Sequence, residues 1–401
     1  MATVLISGAG VAGPSLAFWL SRYGYEVTVV EQADRLRDSG AAVDFRGDQM
    51  ALLDRMGITD ELRACATEMG DQLIVDGSGR AIASVPSVIF SGDLEIERGD
   101  LSRVLHRHTA DRVEYVFGDR IVAVDDHADG VDVTFERSGP RRFDLVVGAD
   151  GQHSGVRRLV FGDERTHRTD LGYYAVGFTM PNDFGLDHSA RIHNEPGRYV
   201  NVGSARDLRR ASVTMVFAAE DLTYDRRDPA QQREIVRQHF AGSGWIVPQL
   251  LDAMEDADDL YFTSLSQIHL ERWSRGRVVL LGDAAWCGGP GGNGTGHAML
   301  GAYLLAGELA TAGADHAAAF ARYEELMRPA TTKSQEFGAG AGRHLAPPTA
   351  RKIRQRDRVY RLLSSRLMTG LVDRLAKRFA NTGELKEYAI PQARSGSGGA
   401  A

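Results

Sequence analysis

The sequence predicts an α/β protein: a Rossmann-like βαβ domain, an inserted antiparallel-sheet domain and a C-terminal helix. Three observations carry that prediction. An apolar run, Val4-Leu5-Ile6, opens into Gly8-x-Gly10-x-x-Gly13, a helical stretch that stops at Gly24, and a second apolar run, Val27-Thr28-Val29-Val30, that ends on Glu31. Two later apolar runs, residues 143–148 and 277–281, each end in a Gly/Asp turn, Asp150-Gly151 and Gly282-Asp283. Between them, residues 172–273 change texture to alternating segments such as Ser212-Val213-Thr214-Met215-Val216-Phe217, the period of a sheet with one covered face.

The first turn is a complete βαβ unit in which each glycine has its own task. Gly8 makes the tight turn, Gly10 lets a pyrophosphate approach the backbone, and Gly13 lets the helix pack on the sheet. The helix start offers unpaired N–H groups and a partial positive charge to phosphates. Glu31, about twenty residues on, stands where a carboxylate accepts hydrogen bonds from ribose hydroxyls. Dinucleotide binding follows. NAD, NADP and FAD all remain open on this motif, although an acid disfavours a 2′-phosphate.

Residues 32–39 are polar, and residues 40–47 look like a strand or extended loop returning toward the cofactor. Residues 48–56 form a short helix stopped by Gly57, and Asp76-Gly77-Ser78-Gly79 joins two short strands as a hairpin. Asp100 is a plausible N-cap for a helix over residues 101–108. Short strands follow at 114–116, 121–124 and 131–135. Within the inserted region, residues 229–240 and 247–254 read as helices. A glycine-rich loop follows Asp283, then a helix from about residue 296 to 312. Leu363, Leu367, Leu371 and Leu375 recur at helical spacing in a basic segment, read as a helix that buries this stripe on its own protein, with a membrane-surface helix as the alternative. The expected domains are 1–171 and 274–345 for the two parts of the cofactor domain, 172–273 for the sheet, 346–392 for a helical segment and 393–401 for a disordered tail.

Composition narrows the function classes. The chain has 401 residues, 43% hydrophobic and 25% charged, as in a soluble globular protein. A net charge of −7 gives no reason to expect nucleic acid. Two cysteines, Cys65 and Cys287, form no disulfide framework, and the histidines show no metal-ligand spacing. With neither a signal peptide nor an apolar stretch of about 18 residues, no membrane span is expected and a cytoplasmic location is the default.

Taken together, Gly8-x-Gly10-x-x-Gly13 with Glu31, Asp150-Gly151 with Ser154, Arg157 and Arg158, and Gly282-Asp283-Ala284-Ala285 with Pro290 resemble the group A FAD-dependent monooxygenases of the para-hydroxybenzoate hydroxylase fold. Within that family the chain looks most like compact tailoring hydroxylases and tetracycline-modifying monooxygenases. The resemblance runs from residue 3 to about residue 330. It implies an FAD domain of the glutathione-reductase type, and it assigns FAD contacts to Gly8, Gly10, Ala12, Gly13, Glu31, Gln32, Arg46, Arg98, Val122, Asp150, Gly151, Gly282, Asp283, Pro290, Gly294 and Thr295. Arg98 would help hold the diphosphate and ribityl region, and Asp283 would contact the ribityl or diphosphate portion through its side chain or adjacent N–H groups. The loop of Pro290, Gly291, Gly292, Asn293, Gly294 and Thr295 would flank the isoalloxazine, with the following helix aimed at its pyrimidine edge. That loop is one residue shorter than the family's usual Pro-x-x-Gly-Gln-Gly pattern.

The implied reaction is insertion of one oxygen atom from O2 into an aromatic or polycyclic small molecule, through a flavin C4a-hydroperoxide, with NADPH or NADH as transient reductant. Hydroxylation in natural-product tailoring or drug inactivation is the first expectation. FAD used structurally in a cyclase or ligand-binding module, or a flavin-dependent reductase, is the alternative. No catalytic side chain is singled out, because the flavin does the hard chemistry. Tyr174, Arg191, His193, Met215, Phe217 and Trp286 are candidate substrate contacts, with Tyr173, Phe178, Cys287 and His297 as further pocket candidates. A monomer or homodimer is expected.

Overall fold

Parallel strands rich in Val, Ile and Leu need cover on both faces, and the first sheet has it. The computed structural model describes residues 1–36, 42–87, 92–291, 293–364 and 385–390. Gly292, Gly40 and Ala41 at the start of the segment expected to return to the cofactor, Leu367, Leu371 and Leu375 of the C-terminal stripe, and the tail at 393–401 lie outside the described residues. Strands β1 (Thr3–Ser7), β2 (Glu26–Glu31), β7 (Val113–Phe117), β11 (Leu145–Gly148), β18 (Val278–Leu280) and β17 (Ser274–Arg275) form a six-stranded sheet in the order β17-β18-β11-β1-β2-β7. All pairings are parallel except β17 with β18. Val4, Leu5, Ile6, Val146, Val147 and Val278 to Leu280 have essentially no solvent access.

Helix α1 (Ala12–Arg22) is the crossover between β1 and β2, and the long apolar helix α9 (Gly294–Ala312) packs along it. The first sheet also carries α5 (Gly155–Phe161) and α8 (Asp283–Trp286) at its strand ends. A three-stranded antiparallel sheet of β8 (Ile121–His127), β9 (Gly130–Phe135) and β10 (Arg141–Phe143) closes over it through Val131, Val133 and Phe143. Strand β3 (Val43–Phe45) pairs with β6 (Leu94–Ile96), leading into α2 (Asp48–Met56) and α3 (Thr59–Arg63) on one side and α4 (Arg98–Arg107) on the other.

The second layer is a seven-stranded sheet in the order β16-β12-β15-β14-β13-β4-β5. Its members are β16 (Tyr261–Ile268), β12 (Arg168–Pro181), β15 (Arg210–Ala218), β14 (Arg198–Ser204), β13 (Ser189–Glu195), β4 (Gln72–Val75) and β5 (Ala81–Val85). The sheet is therefore larger than the region expected at 172–273. The hairpin β4–β5 lies before that region in sequence, yet β4 pairs in parallel with β13, placing Ile192 beside Ile74. The apolar parity of β4 finds its cover only in that sheet, and sequence distance does not oppose it.

Alternation gives the sheet two different faces. The outer face carries Tyr174, Val176, Phe178, Val200, Val202, Val213, Met215 and Phe217, buried under α6 (Pro229–Phe240) and α7 (Val247–Glu255). Helix α6 begins at Asp228, whose carboxylate accepts the N–H groups of Ala230 and Gln231 at 3.0 Å, with Pro229 in the first turn. Burying side chains such as Phe217, Phe240 and Leu250 contributes about 2 to 3 kcal/mol each to the hold of these helices. The inner face carries Tyr173, Ile192, Tyr199 and Val216 at one end, covered by Leu345, Ala346 and Tyr360 of α10 (His316–Leu345) and α11 (Ala350–Leu363) and the turn between them. The rest of the inner face faces the first domain. The described part of the predicted C-terminal helical segment is α11 and an extended piece at 385–390, whose Tyr388 packs on Gly307 and Tyr303 of α9.

Candidate cofactor and substrate site

The β1–α1 turn is shaped by close backbone contacts. Gly8 has φ +107°, and its N–H donates to the Val30 carbonyl at 2.7 Å. A Cβ on Gly8 would lie 2.5 Å from the Ala149 carbonyl oxygen, and one on Gly13 would overlap the Gly8 carbonyl. Both glycines therefore serve the packing of turn, sheet and helix. Gly10 is different: the nearest atom to a Cβ there would be Nη2 of Arg98, 3.9 Å away. Gly10 thus opens onto a concavity in which the Arg98 guanidinium is its nearest neighbour, at van der Waals distance.

Glu31 closes one end of that concavity. One carboxylate oxygen accepts the Ala9 N–H at 2.8 Å and the other the Ala33 N–H at 2.9 Å. Lone pairs remain on both oxygens for hydroxyl donors. Gln32 is exposed beside it. Val122 is exposed at an irregularity in β8, in the sheet next to the Glu31 end.

The opposite wall comes from the two Gly/Asp turns. Asp150 accepts the Ser154 hydroxyl and the N–H groups of Gly155 at 2.8 Å and Val156 at 3.1 Å, so it caps α5. Burial raises its carboxyl above the usual range, against the pull of those donors. Gly282, at φ +68°, lies between two helices; a Cβ there would be 3.2 Å from Ala12 and 3.6 Å from Ala298. Asp283 follows. Burial raises its carboxyl too, while the charge of Arg98 across the cleft pulls it down. A Cβ on Gly294 would sit 3.6 Å from Asp283 Oδ1. Arg98 itself is exposed and has no ion-pair partner among the described residues.

The concavity thus runs from Glu31 past Gly10, between Arg98 and Asp283, to the first turn of α9. Intrahelical bonding there starts with His297 N–H to the Asn293 carbonyl at 3.0 Å, which leaves the N–H groups of Gly294, Thr295 and Gly296 aimed outward. Asn293 itself sits at φ +55°. Pro290 is half-buried, and Gly291 lies against Phe337 of α10, an exposed aromatic ring. Arg46 pairs with Asp44 at 2.6 Å just before α2, whose Gln49 reaches Gly296. An acid at the ribose end, backbone donors and a free guanidinium in the middle, and a helix start at the far end suit an extended dinucleotide with a central diphosphate.

The substrate contacts expected from sequence fall elsewhere. Tyr174, Met215 and Phe217 point to the outer face and are core residues beneath α6 and α7; the Tyr174 hydroxyl accepts the Leu222 N–H at 2.7 Å. Arg191 and His193 have the same parity, and His193 is buried with its ring 5.6 Å from Trp245. Phe178 is buried on the outer face as well, whereas Tyr173 packs at the covered end of the inner face. Trp286 is 3% exposed in an aromatic cluster with Trp273 and Tyr323. Cys287 is buried against the Ser266 carbonyl, and burial raises its thiol pKa, so it is no nucleophile. His297 is buried, its pKa lowered to about 4 by desolvation.

The open inner face carries other residues. Register places Gly177 beside Tyr261 on one side and Thr214 on the other, and Asn201 beyond Thr214. Tyr261 is 49% exposed, yet burial in the surrounding cleft raises its phenol pKa, and it feels the charges of Arg98 and Asp283. The sequence signal for Tyr261 was the parity opposite to Phe262, which alternation alone cannot assign to a face.

These features define a flavoprotein of the oxidoreductase class: the family model described as FAD binding domain matches residues 1–337. A flavin-dependent monooxygenase of an unknown prokaryotic organism is 37% identical over 340 residues, covering 84% of this chain and 88% of that protein. A Mycobacterium tuberculosis protein named only as uncharacterized is 44% identical over 330 residues, covering 80% and 89%. The crystal structure of tetracycline destructase Tet(51) superposes with a TM-score of 0.84 at 31% identity, covering 97% of this chain and 99% of that one. The chain belongs to this FAD-binding family and is an FAD-dependent monooxygenase.

Proposed function

We propose that NADPH or NADH serves as the transient reductant and O2 as the co-substrate, and that the chain hydroxylates an aromatic or polycyclic small molecule. The tetracycline destructase likeness supports drug inactivation or natural-product tailoring as the setting. The observation that carries the reading is the inner sheet face at Tyr261, which lies beside Gly177 and feels the charges of Arg98 and Asp283 across the cleft.

FAD, when bound, supplies the redox and oxygen-transfer chemistry. The chain holds it: Arg98 and the β1–α1 turn would take the diphosphate, Glu31 the ribose, and the α9 start the ring system. The inner face would seat the substrate against the cofactor. Gly177 leaves room for a flat ring system there, and the Tyr261 phenol, kept protonated at neutral pH, is positioned to donate a hydrogen bond to a substrate oxygen. Helix α10 crosses from the flavin loop to the sheet, with Gly338 against Gly288 and Gly342 against the Tyr173 ring, and so closes one side of the cleft against water. Action as a monomer or homodimer in the cytoplasm fits this reading.

The test is to purify the chain with FAD and follow NADPH and NADH oxidation with a panel of phenolic polycycles that includes a tetracycline. The reading expects substrate to accelerate oxidation and yield a product one oxygen heavier. Oxidation indifferent to every member of the panel, with no oxygenated product, would count against it.

A further inference from the structure

Gly296 and Gln49 are 247 positions apart in the chain, yet one has no room unless the other is small. Gly296 is the third residue of α9, and a Cβ built on it would overlap Nε2, Cδ and Oε1 of Gln49. The carboxamide of Gln49 therefore lies directly on the first turn of α9, and only glycine at 296 admits it. The amide is also oriented. Its Oε1 accepts the Arg46 N–H at 3.2 Å, across the turn that starts α2, where Gly47 sits at φ +51°. With the oxygen held by its own backbone, Nε2 is the free end, and it donates to no other described residue. The side chain is half-buried, so this donor stands in the concavity and not in bulk water.

We infer that Gln49 is a flavin-binding residue: its Nε2 donates to a carbonyl of the isoalloxazine pyrimidine edge, beside the outward N–H groups of Gly294, Thr295 and Gly296. The inference rests on the placement of the flavin end of FAD at the α9 start. Negative charge gathers on that edge when the flavin is reduced, so a fixed donor there stabilises reduced FAD more than oxidised FAD. Glycine at 296 is then required not by helix geometry, where it is costly, but by the need to seat this amide.

The experiment measures FAD affinity by calorimetry and the two-electron midpoint potential by dye-coupled reduction, for the holoenzyme and its variants. Gln49→Leu and Gln49→Glu keep the volume and remove the donor. Each is expected to weaken reduced FAD about tenfold more than oxidised FAD, which lowers the midpoint by about 30 mV for a two-electron couple. Gly296→Ala should reproduce that loss by displacing the amide. In a Gln49→Ala background Gly296→Ala should add nothing further, because the space is then empty. An unchanged potential in Gln49→Leu and Gln49→Glu overturns the inference, whether or not affinity falls, since packing alone would move affinity only. A wild-type chain that takes up no FAD would instead sink the cofactor placement on which the inference stands.

Discussion

The Arg157 guanidinium, without solvent access, donates to the Ala284 carbonyl at 2.9 Å and so ties the Asp150-Gly151 turn to the Gly282-Asp283 turn. A second donor of the same group reaches the Gln152 carbonyl at 2.6 Å, and Glu164 lies 3.9 Å away. Two strand-end turns that are more than 120 positions apart are thus held by one side chain. Replacing it with leucine takes a donor from the buried Ala284 carbonyl and the half-buried Gln152 carbonyl and leaves Glu164 with one cation fewer. Arg157→Leu is expected to lose about 3 kcal/mol of stability, read by chemical denaturation, with weaker retention of FAD.

Glu31 should be tested at the other end of the cradle. Its carboxylate holds the Ala9 and Ala33 N–H groups at once, so the β1–α1 turn and the end of β2 depend on it. Glu31→Gln exchanges one acceptor for a donor facing an N–H. FAD affinity, measured by titration calorimetry, is expected to fall about tenfold, the worth of one charge-assisted hydrogen bond.

The two tyrosines of opposite parity separate the two faces of the large sheet. Tyr261→Phe is expected to raise KM or lower kcat several-fold while leaving thermal stability near that of the parent, because its hydroxyl faces the cleft. Tyr174→Phe should do the reverse: it loses the bond to Leu222 N–H under the helices, costs about 1 kcal/mol of stability, and leaves KM unchanged. Steady-state kinetics and denaturation on both variants decide the matter. Equal effects on KM would contradict the assignment of faces.

His297 gives a pH prediction with a definite sign. Burial lowers its folded pKa to about 4, below its ordinary value, so the unfolded chain binds this proton more readily. The contribution is fully present above about pH 6.5 and is lost as pH falls toward 4. In His297→Gln the stability slope between pH 6.5 and 4 should be shallower than in the parent, as read from denaturant midpoints across that window. An unchanged slope would show that His297 is not held neutral.

How much of this was legible in the sequence depends on how locally each part is built. Gly8, Gly10, Gly13 and Glu31 lie within one βαβ unit, where strand, turn and helix act on neighbours in the chain, and the motif could be read directly. The fold class was legible for the same reason: continuous apolar runs mark the buried parallel strands, and alternation marks the sheet at 172–273. Which parity of that alternation faces the cleft was not legible. A shift by one residue exchanges the faces, and only α6 and α7 lying over Phe217 and Met215 reveal the choice. Trp286 follows the Gly282-Asp283 turn, yet its ring packs inward on Trp273, a contact across the fold that the local pattern does not show. The β4–β5 hairpin was legible from its turn, but its pairing with β13 and the meeting of Gln49 with Gly296 depend on contacts across more than a hundred positions, for which local pattern holds no signal.

The most direct measurement is turnover of the FAD-loaded chain under 18O2 with NAD(P)H and a substrate from the polycyclic panel, followed by mass spectrometry of the product. The account predicts a product carrying one 18O atom, formed in step with NAD(P)H oxidation. A product formed without label, or formed equally well without oxygen and NAD(P)H, would contradict it.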